Sequence, residues 1–239
     1  MDRITSSLIR QFSDDYELHL SNDTVLFEYF CNFCAATNEN GLDDIELEEF
    51  TTGISAQGID GIAIIVNNRF VYSIDDINEM IRLNKTIKVK FVLVQSKTSD
   101  KFDNTEMLNF FHYAKKFFSE DNHIFSTVEM TRFIELKNYI FDNASKLEKN
   151  PELLLYYCTT GVWNNDETLL NIIKETKKEL LSTNLFSNVN FKICGAEEIQ
   201  NLYRKTFSEL TATFKFEKKV VMYSLSCLLY TSPSPRDTR

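Results

Sequence analysis

The sequence predicts an α/β protein in which helices flank a mixed β-sheet. Three observations lead to this class. The spacing of apolar residues changes along the chain from a helical period to short continuous or alternating runs. Two of these runs are joined by Asn67-Asn68, and asparagine tolerates the positive φ angles that a two-residue hairpin turn needs. The later runs alternate with amphipathic helical segments, as crossovers between parallel strands do.

The first half of the chain is predicted to supply a long helix, a hairpin, a short helix and a third strand. Leu26, Phe30 and Phe33 repeat at helical spacing, whereas the residues from Ile62 to Val66 are uniformly apolar, as in a buried strand. The predicted elements are, in order, a polar lead-in at 1–20, a helix at 25–36, strands at 61–66 and 69–74, a helix at 75–83 and a strand at 87–95.

The second half is predicted to alternate between helices and strands. Segment 105–118 carries its apolar residues on one broad face, which is typical of a helix packed on a sheet. The apolar run at 153–159 is predicted to be a strand, and it ends near Gly161, a residue that disfavours strands. The predicted helices are 105–118, 133–147, 167–181 and 196–205, and the predicted strands are 153–159, 189–194 and 220–225. We therefore expect one α/β domain over 21–205, with 206–226 as the start of a following region.

The last residues, 227–239, differ in character from the rest of the chain. Two of the three prolines, Pro233 and Pro235, fall within them. Read back into codons, the run from Cys227 to Asp237 resembles the adapter of a tagmentation sequencing library, so we expect an artefact here rather than natural protein. On this interpretation the natural C-terminal region is missing.

Composition excludes several classes of protein. With 26 Lys and Arg against 35 Asp and Glu, the net charge of -9 excludes a polybasic nucleic-acid binder, although a local basic groove stays open. No apolar run reaches the roughly 18 residues of a membrane span, and the five cysteines form no disulfide framework, so a cytoplasmic location is expected. Cys31 and Cys34 form a C-x-x-C without a second pair and are interpreted as small apolar helix residues.

Polar residues with catalytic chemistry follow two of the predicted strands. Asp60 lies directly before the first strand, and Gln95 and Lys97 end the third, where alternation places both on one face. If these strands are neighbours, the three side chains meet at one edge of the sheet. A carboxylate and an amide oxygen suit Mg²⁺, and a lysine offsets charge in phosphodiester hydrolysis. By spacing alone, the commoner explanation of these residues is a turn aspartate and an ordinary strand end.

The same residues carry a resemblance to a nuclease superfamily. Gly58-Ile59-Asp60-Gly61-Ile62, the hairpin and the run from Phe91 to Thr98 resemble the PD-(D/E)xK, restriction-endonuclease-like proteins, in the variant with glutamine at the second acid. The resemblance implies an αβββαβ core followed by an α/β extension. It also implies that Asp60 and Gln95 hold Mg²⁺ or Mn²⁺, that Lys97 is the catalytic lysine, and that Glu28 is an acid on the first helix.

A narrower resemblance is to the N-terminal part of AIPR proteins, which act in bacterial abortive phage infection. It covers roughly 20–225 and rests on four segments: Phe27-Glu28-Tyr29-Phe30, Gly58 to Val66, Gln95-Ser96-Lys97-Thr98-Ser99 and Tyr156 to Gly161. The resemblance implies antiphage defence by cleavage of nucleic acid, with DNA favoured over RNA, and a larger C-terminal region as partner.

Two further interpretations stay open at this point. The reduced acid set and the negative charge also fit a catalytically inactive nuclease fold that serves as a sensing or protein-interaction module. A third reading is that the chain as it stands does nothing without its missing region. The oligomeric state and the trigger of activity are not predicted.

Overall fold

A computed structural model describes residues 1–207, except 19, 21, 41–44, 54–56 and 121–122. These residues belong to a compact unit that spans Met1–Ser208. A second unit, Glu209–Arg239, lies outside the described residues, and with it the predicted strand at 220–225 and the adapter-like segment.

The described residues form helices and strands that confirm the predicted α/β class with a mixed sheet. The helices are α1 (Arg3–Asp15), α2 (Asp23–Asn40), α3 (Ile74–Asn84), α4 (Asn104–Phe118), α5 (Val128–Asp142), α6 (Glu167–Ser182) and α7 (Ala196–Lys205). The strands are β1 (Gly61–Val66), β2 (Arg69–Phe70), β3 (Val89–Lys97), β4 (Glu152–Thr159) and β5 (Asn188–Cys194). The order α2, β1, β2, β3, α4, β4 is compatible with an α/β nuclease-like core, with α3 and α5 as additions.

The sheet has the strand order β2-β1-β3-β4-β5. β1 is antiparallel to β2 and β3, while β3, β4 and β5 are parallel to one another. In the register of β1 and β3, Gly61 lies opposite Val94. The start of β1 therefore lies beside the end of β3, which is the neighbourhood that the sequence argument required.

Helices cover both faces of the sheet, so each central strand contributes alternate residues to two apolar cores. Phe91 and Leu93 of β3 face a core shared with α3, α4, α5 and α6. Val92 and Val94 face the other core, shared with α1, α2 and α7. Within the second core, α1 inserts the fully buried ring of Phe12 between α2 and α7. Residues 3–15 of the predicted polar lead-in thus form an amphipathic helix.

Two predicted elements differ from those observed, and local hydrogen bonds give the reason. The hairpin turn is as predicted, with φ of 51° and 62° at Asn67 and Asn68, but β2 ends at Phe70 rather than at 74. Beyond it, the Asp76 carboxylate accepts from the backbone N–H groups of Tyr72 and Ser73, so the chain is already capping α3.

The helix predicted at 133–147 is present but begins and ends earlier in the chain, because its N-cap was not recognised. The Thr127 hydroxyl accepts from the Met130 N–H, so α5 begins at Val128 and ends at Asp142. A short 3₁₀ turn, Ala144–Lys146, occupies part of the predicted C-terminal end. Among the described helices, none combines the length and the apolar character that a membrane crossing requires.

Candidate active site

Asp60 is held at the edge of the sheet where β1 begins and β3 ends. Its backbone N–H donates to the Val94 carbonyl at 2.8 Å and extends the ladder by one residue. This fixes the Asp60 side chain next to Gln95 and Ser96. The structure thus brings together the predicted pair Asp60 and Gln95, although the two residues are 35 positions apart in sequence.

One carboxylate oxygen of Asp60 accepts three hydrogen bonds from the end of β3. Its Oδ2 lies 2.7 Å from Gln95 Nε2, 2.7 Å from the Ser96 backbone nitrogen and 2.9 Å from Ser96 Oγ. The other oxygen, Oδ1, has no hydrogen-bond partner among the described residues. Sequence reasoning missed Ser96, since strand alternation turns its side chain away from Gln95, yet both its backbone N–H and its hydroxyl donate to Asp60.

Burial is the largest influence on the pKa of the Asp60 carboxyl. Loss of solvation raises the pKa of this carboxyl above its ordinary value, because the charged form loses water. The hydrogen bonds from Ser96, the positive charge of Lys97 and the Gln95 amide act in the opposite direction and only partly offset burial. Burial therefore destabilises the charged form of Asp60, and a cation nearby would stabilise that form.

Glu28 joins this group from α2, on the other side of the sheet. It is half-buried, and burial is the main cause that raises its pKa from 4.5 to about 7, followed by repulsion from Asp60. The charge of Lys97 lowers it. These influences place Glu28 within electrostatic reach of both predicted site residues. No hydrogen bond to another described residue fixes its carboxylate.

Asn32 links α2 to the backbone of Asp60. It lies one turn after Glu28, is 3% exposed, and donates its Nδ2 to the Asp60 carbonyl at 3.3 Å. A Cβ atom on Gly61 would stand 2.1 Å from Asn32 Oδ1, so only glycine admits this side chain. Gly61 thereby sets the distance between α2 and the edge of the sheet.

Lys97 forms an ion pair with a residue that the sequence analysis did not single out. Its Nζ lies 3.0 Å from Glu106 Oε2, in the first turn of α4. The two side chains are 37% and 46% exposed, so the pair contributes little to stability and mainly orients the ammonium group. In sequence, Glu106 stands three residues after the N-cap Asp103 and reads only as an acidic residue of a first helical turn.

The available donors limit which metal this site can hold. Within the described ranges, no set of three or more His, Cys, Asp or Glu residues is placed to bind a metal ion. The oxygen donors near Asp60 are its own Oδ1, the Glu28 carboxylate and the Gln95 amide, which directs its nitrogen to Asp60. Such a set fits Mg²⁺, which retains several waters and needs only one or two carboxylates from the protein.

The described cysteines gather in the core beside the site, which the spacing did not predict. Cys31 and Cys34 of α2 are buried with Cys158 of β4 and Cys194 of β5, and their thiols influence one another. Burial raises the pKa of Cys31 to about 11. Such thiols remain protonated and unreactive at neutral pH, in agreement with the interpretation of Cys31 and Cys34 as small apolar residues.

Comparisons with protein-family models, with curated proteins and with solved structures found no match to this chain. The resemblance to AIPR and PD-(D/E)xK proteins therefore rests on the motifs themselves and on their order. The geometry around Asp60 is the independent basis for a functional argument.

Proposed function

We propose that this chain is the nuclease-like domain of an AIPR-type antiphage defence protein and hydrolyses phosphodiester bonds with Mg²⁺ or Mn²⁺. A single observation carries the proposal. Asp60, Gln95 and Lys97, chosen from sequence, lie at one edge of a mixed sheet with a second acid, Glu28, beside them. The proposed substrate is DNA rather than RNA, and the proposed location is the cytoplasm.

The roles of the residues follow from charge and position. Asp60 and Glu28 would hold the metal ion, with the Gln95 amide orienting Asp60 through its Nε2. When bound, Mg²⁺ would neutralise phosphate charge and lower the pKa of a bound water. Lys97, oriented by Glu106 and partly exposed, would offset the charge that develops on the phosphate oxygens.

Replacement of Lys97 tests this assignment. We expect Lys97→Ala to lower kcat/KM for DNA cleavage about 100- to 1,000-fold, the effect of removing one charge-stabilising donor. Lys174→Ala is the matched control, because Lys174 is an exposed lysine of α6. Equal Mg²⁺-dependent activity in the two variants would remove Lys97 from the mechanism.

A second function has one observation in its favour. Asp60 Oδ2 is already fully bonded by the chain's own donors, as expected of a residue that only closes the sheet edge in an inactive sensing or interaction module. Thermal unfolding with and without MgCl₂ or MnCl₂ separates the two readings. A metal ligand raises the melting temperature, and the rise must vanish in Asp60→Ala. The absence of any rise in the parent would favour the module.

A further inference from the structure

A cleft that the proposed function does not use lies between α7 and the outer edge of β5. It has a volume of about 680 Å³ and is open to solvent. Asn38, one of its lining residues, stands about 15 Å along α2 from Glu28, at 1.5 Å per helical residue, so the cleft is separate from the candidate active site. Residues 191–194 of β5 line one side, and α7 lines the other with Glu198, Asn201, Leu202, Arg204 and Lys205.

The cleft follows a free strand edge. β5 is the last strand in the order of the sheet, and within the described ranges it pairs with β4 alone. Side chains of one strand alternate between the two faces of a sheet, so a cleft lined by consecutive residues of β5 must follow the edge of that strand. Along this edge, alternate backbone N–H and C=O groups are open to a further strand.

Positive charge dominates the walls of the cleft. Lys192, Arg204 and Lys205 line it, in a chain whose net charge is -9. Glu198 is the one acid among the described lining residues, and its carboxylate accepts from the backbone at the start of α7. Arg204 donates to two side-chain amide oxygens of its own helix, and neither lysine is ion-paired with another described residue. The three cations are therefore available to an acidic ligand.

The two faces of β5 offer different surfaces beside this edge. Lys192 is exposed on the side of α7, whereas Phe191 and Ile193 are half-buried on the side of α4 and α6. The Phe191 ring already packs on Phe111, with 5.0 Å between centroids. A strand added next to β5 would set its side chains alternately beside these two surfaces. Acidic residues would meet the cations, and apolar residues would cover Phe191 and Ile193.

An extended peptide fits this edge better than a nucleic-acid strand does. Phosphate groups offer only hydrogen-bond acceptors, and their oxygens would meet the C=O groups that alternate with N–H groups along β5. A peptide strand offers donors and acceptors at the matching spacing, and acidic side chains supply the charge. The cleft therefore has the backbone and the charge that recognition of an acidic β-strand requires.

We propose that this cleft binds an acidic, extended segment of a partner protein, which pairs with the free edge of β5 as an additional strand. In the segment, Asp or Glu alternates with apolar residues. This inference does not depend on the proposed nuclease function. The competing explanation is that Lys192 only prevents the edge from pairing with another copy of this chain, as lysine does on many edge strands.

The test measures binding of a fluorescein-labelled octapeptide of alternating Glu and Val, with blocked ends, to the full chain by fluorescence anisotropy. A second peptide alternates Lys and Val. A third is the Glu-Val peptide with every backbone nitrogen methylated, which keeps its charge but cannot donate backbone hydrogen bonds. Fluorescein-labelled single-stranded DNA, without added metal, is the fourth probe.

The protein variants reverse charges inside and outside the cleft. Lys192→Glu/Lys205→Glu changes two exposed residues of the cleft, and Lys174→Glu/Lys178→Glu changes two exposed residues of α6 as the matched control. Thermal unfolding of both double variants verifies that they are folded.

We expect the Glu-Val peptide to bind the parent and the α6 control equally, and to bind the cleft variant about 10- to 100-fold more weakly, because like charges then face each other. The Lys-Val peptide should show the reverse preference, which a variant that fails to fold cannot produce. Methylation of the backbone should abolish binding, and bound Glu-Val peptide should slow hydrogen exchange of the amides of β5.

The remaining outcomes contradict the proposal in different ways. Equal binding of the methylated peptide means attraction by charge alone, without an added strand. Equal loss of binding in both double variants means a non-specific effect of net charge. If DNA binds in the cleft and the Glu-Val peptide does not, the cleft is a nucleic-acid surface. If no probe binds and the cleft variant self-associates, Lys192 only protects the edge.

Discussion

Replacement of Glu28 by glutamine should make the fold more stable at pH 8 and leave it unchanged at pH 4. The folded-state pKa of Glu28 is raised from 4.5 to about 7, so the folded chain holds this proton more tightly than the unfolded chain does. The stability contributed by the protonated form is therefore complete below pH 4.5 and is lost as the pH rises through about 7. Glutamine stays neutral and removes this loss.

The size of the effect follows from the same shift. One pKa unit corresponds to about 1.4 kcal/mol, so a fully buried group with this shift would cost about 3 kcal/mol above pH 7. Glu28 is only half-buried, and solvent screening reduces the expected gain of Glu28→Gln to about 1–2 kcal/mol at pH 8.

Urea unfolding between pH 4 and pH 8, followed by the fluorescence of the single tryptophan, Trp163, measures this difference. Glu175→Gln, an exposed position on α6, is the control for loss of a surface charge. If the two variants show the same dependence on pH, the raised pKa of Glu28 and its closeness to Asp60 are refuted.

Three further predictions concern the surroundings of Glu28. Added MgCl₂ should stabilise the parent more at pH 8 than at pH 5.5, and Glu28→Gln should weaken this response, because metal ligands must be deprotonated. Gly61→Ala should lower the free energy of unfolding by about 1–3 kcal/mol, since its Cβ would meet Asn32; a double variant with Asn32→Ala should lose less than the sum. Glu106→Gln should change stability by less than about 1 kcal/mol yet lower kcat roughly tenfold, because Lys97 loses its orienting partner. Unchanged kcat in that variant would contradict the orienting role.

Much of the fold was predictable because local patterns and tertiary packing agree. The uniformly apolar Gly61–Val66 and the turn Asn67-Asn68 are found as predicted, and α7 occupies the predicted residues Ala196–Lys205. The errors lie where a side chain caps a backbone: Asp76 shortens β2, and Thr127 moves the start of α5. Both caps use residue types that are also common in loops, so the sequence pattern alone does not single them out.

The candidate site was predictable only in part. Asp60, Gln95 and Lys97 could be chosen because polar residues interrupt apolar strands, and the register of β1 and β3 then brings Asp60 to Gln95. Glu106 could not be chosen in this way, because it reads as an ordinary residue of a first helical turn. Its contact with Lys97 depends on how α4 packs beside the end of β3, which no local pattern specifies.

Because helices pack on both faces of the sheet, the residues of the candidate site come together from two layers that form at different points along the chain. Glu28, Asp60, Gln95 and Lys97 all belong to the first 97 residues, whereas Glu106 arrives with α4. Glu28 belongs to the α2 layer, while Gln95 and Lys97 point into the layer of α4. A nascent chain that has just passed β3 therefore carries the acids, the lysine and the β1–β3 pairing that brings Asp60 to Gln95, yet it lacks the α4 residue that pairs with Lys97. On the proposed function, cleavage would begin only when helices have packed on both faces of the sheet, and completion of the fold would then be the first control on activity.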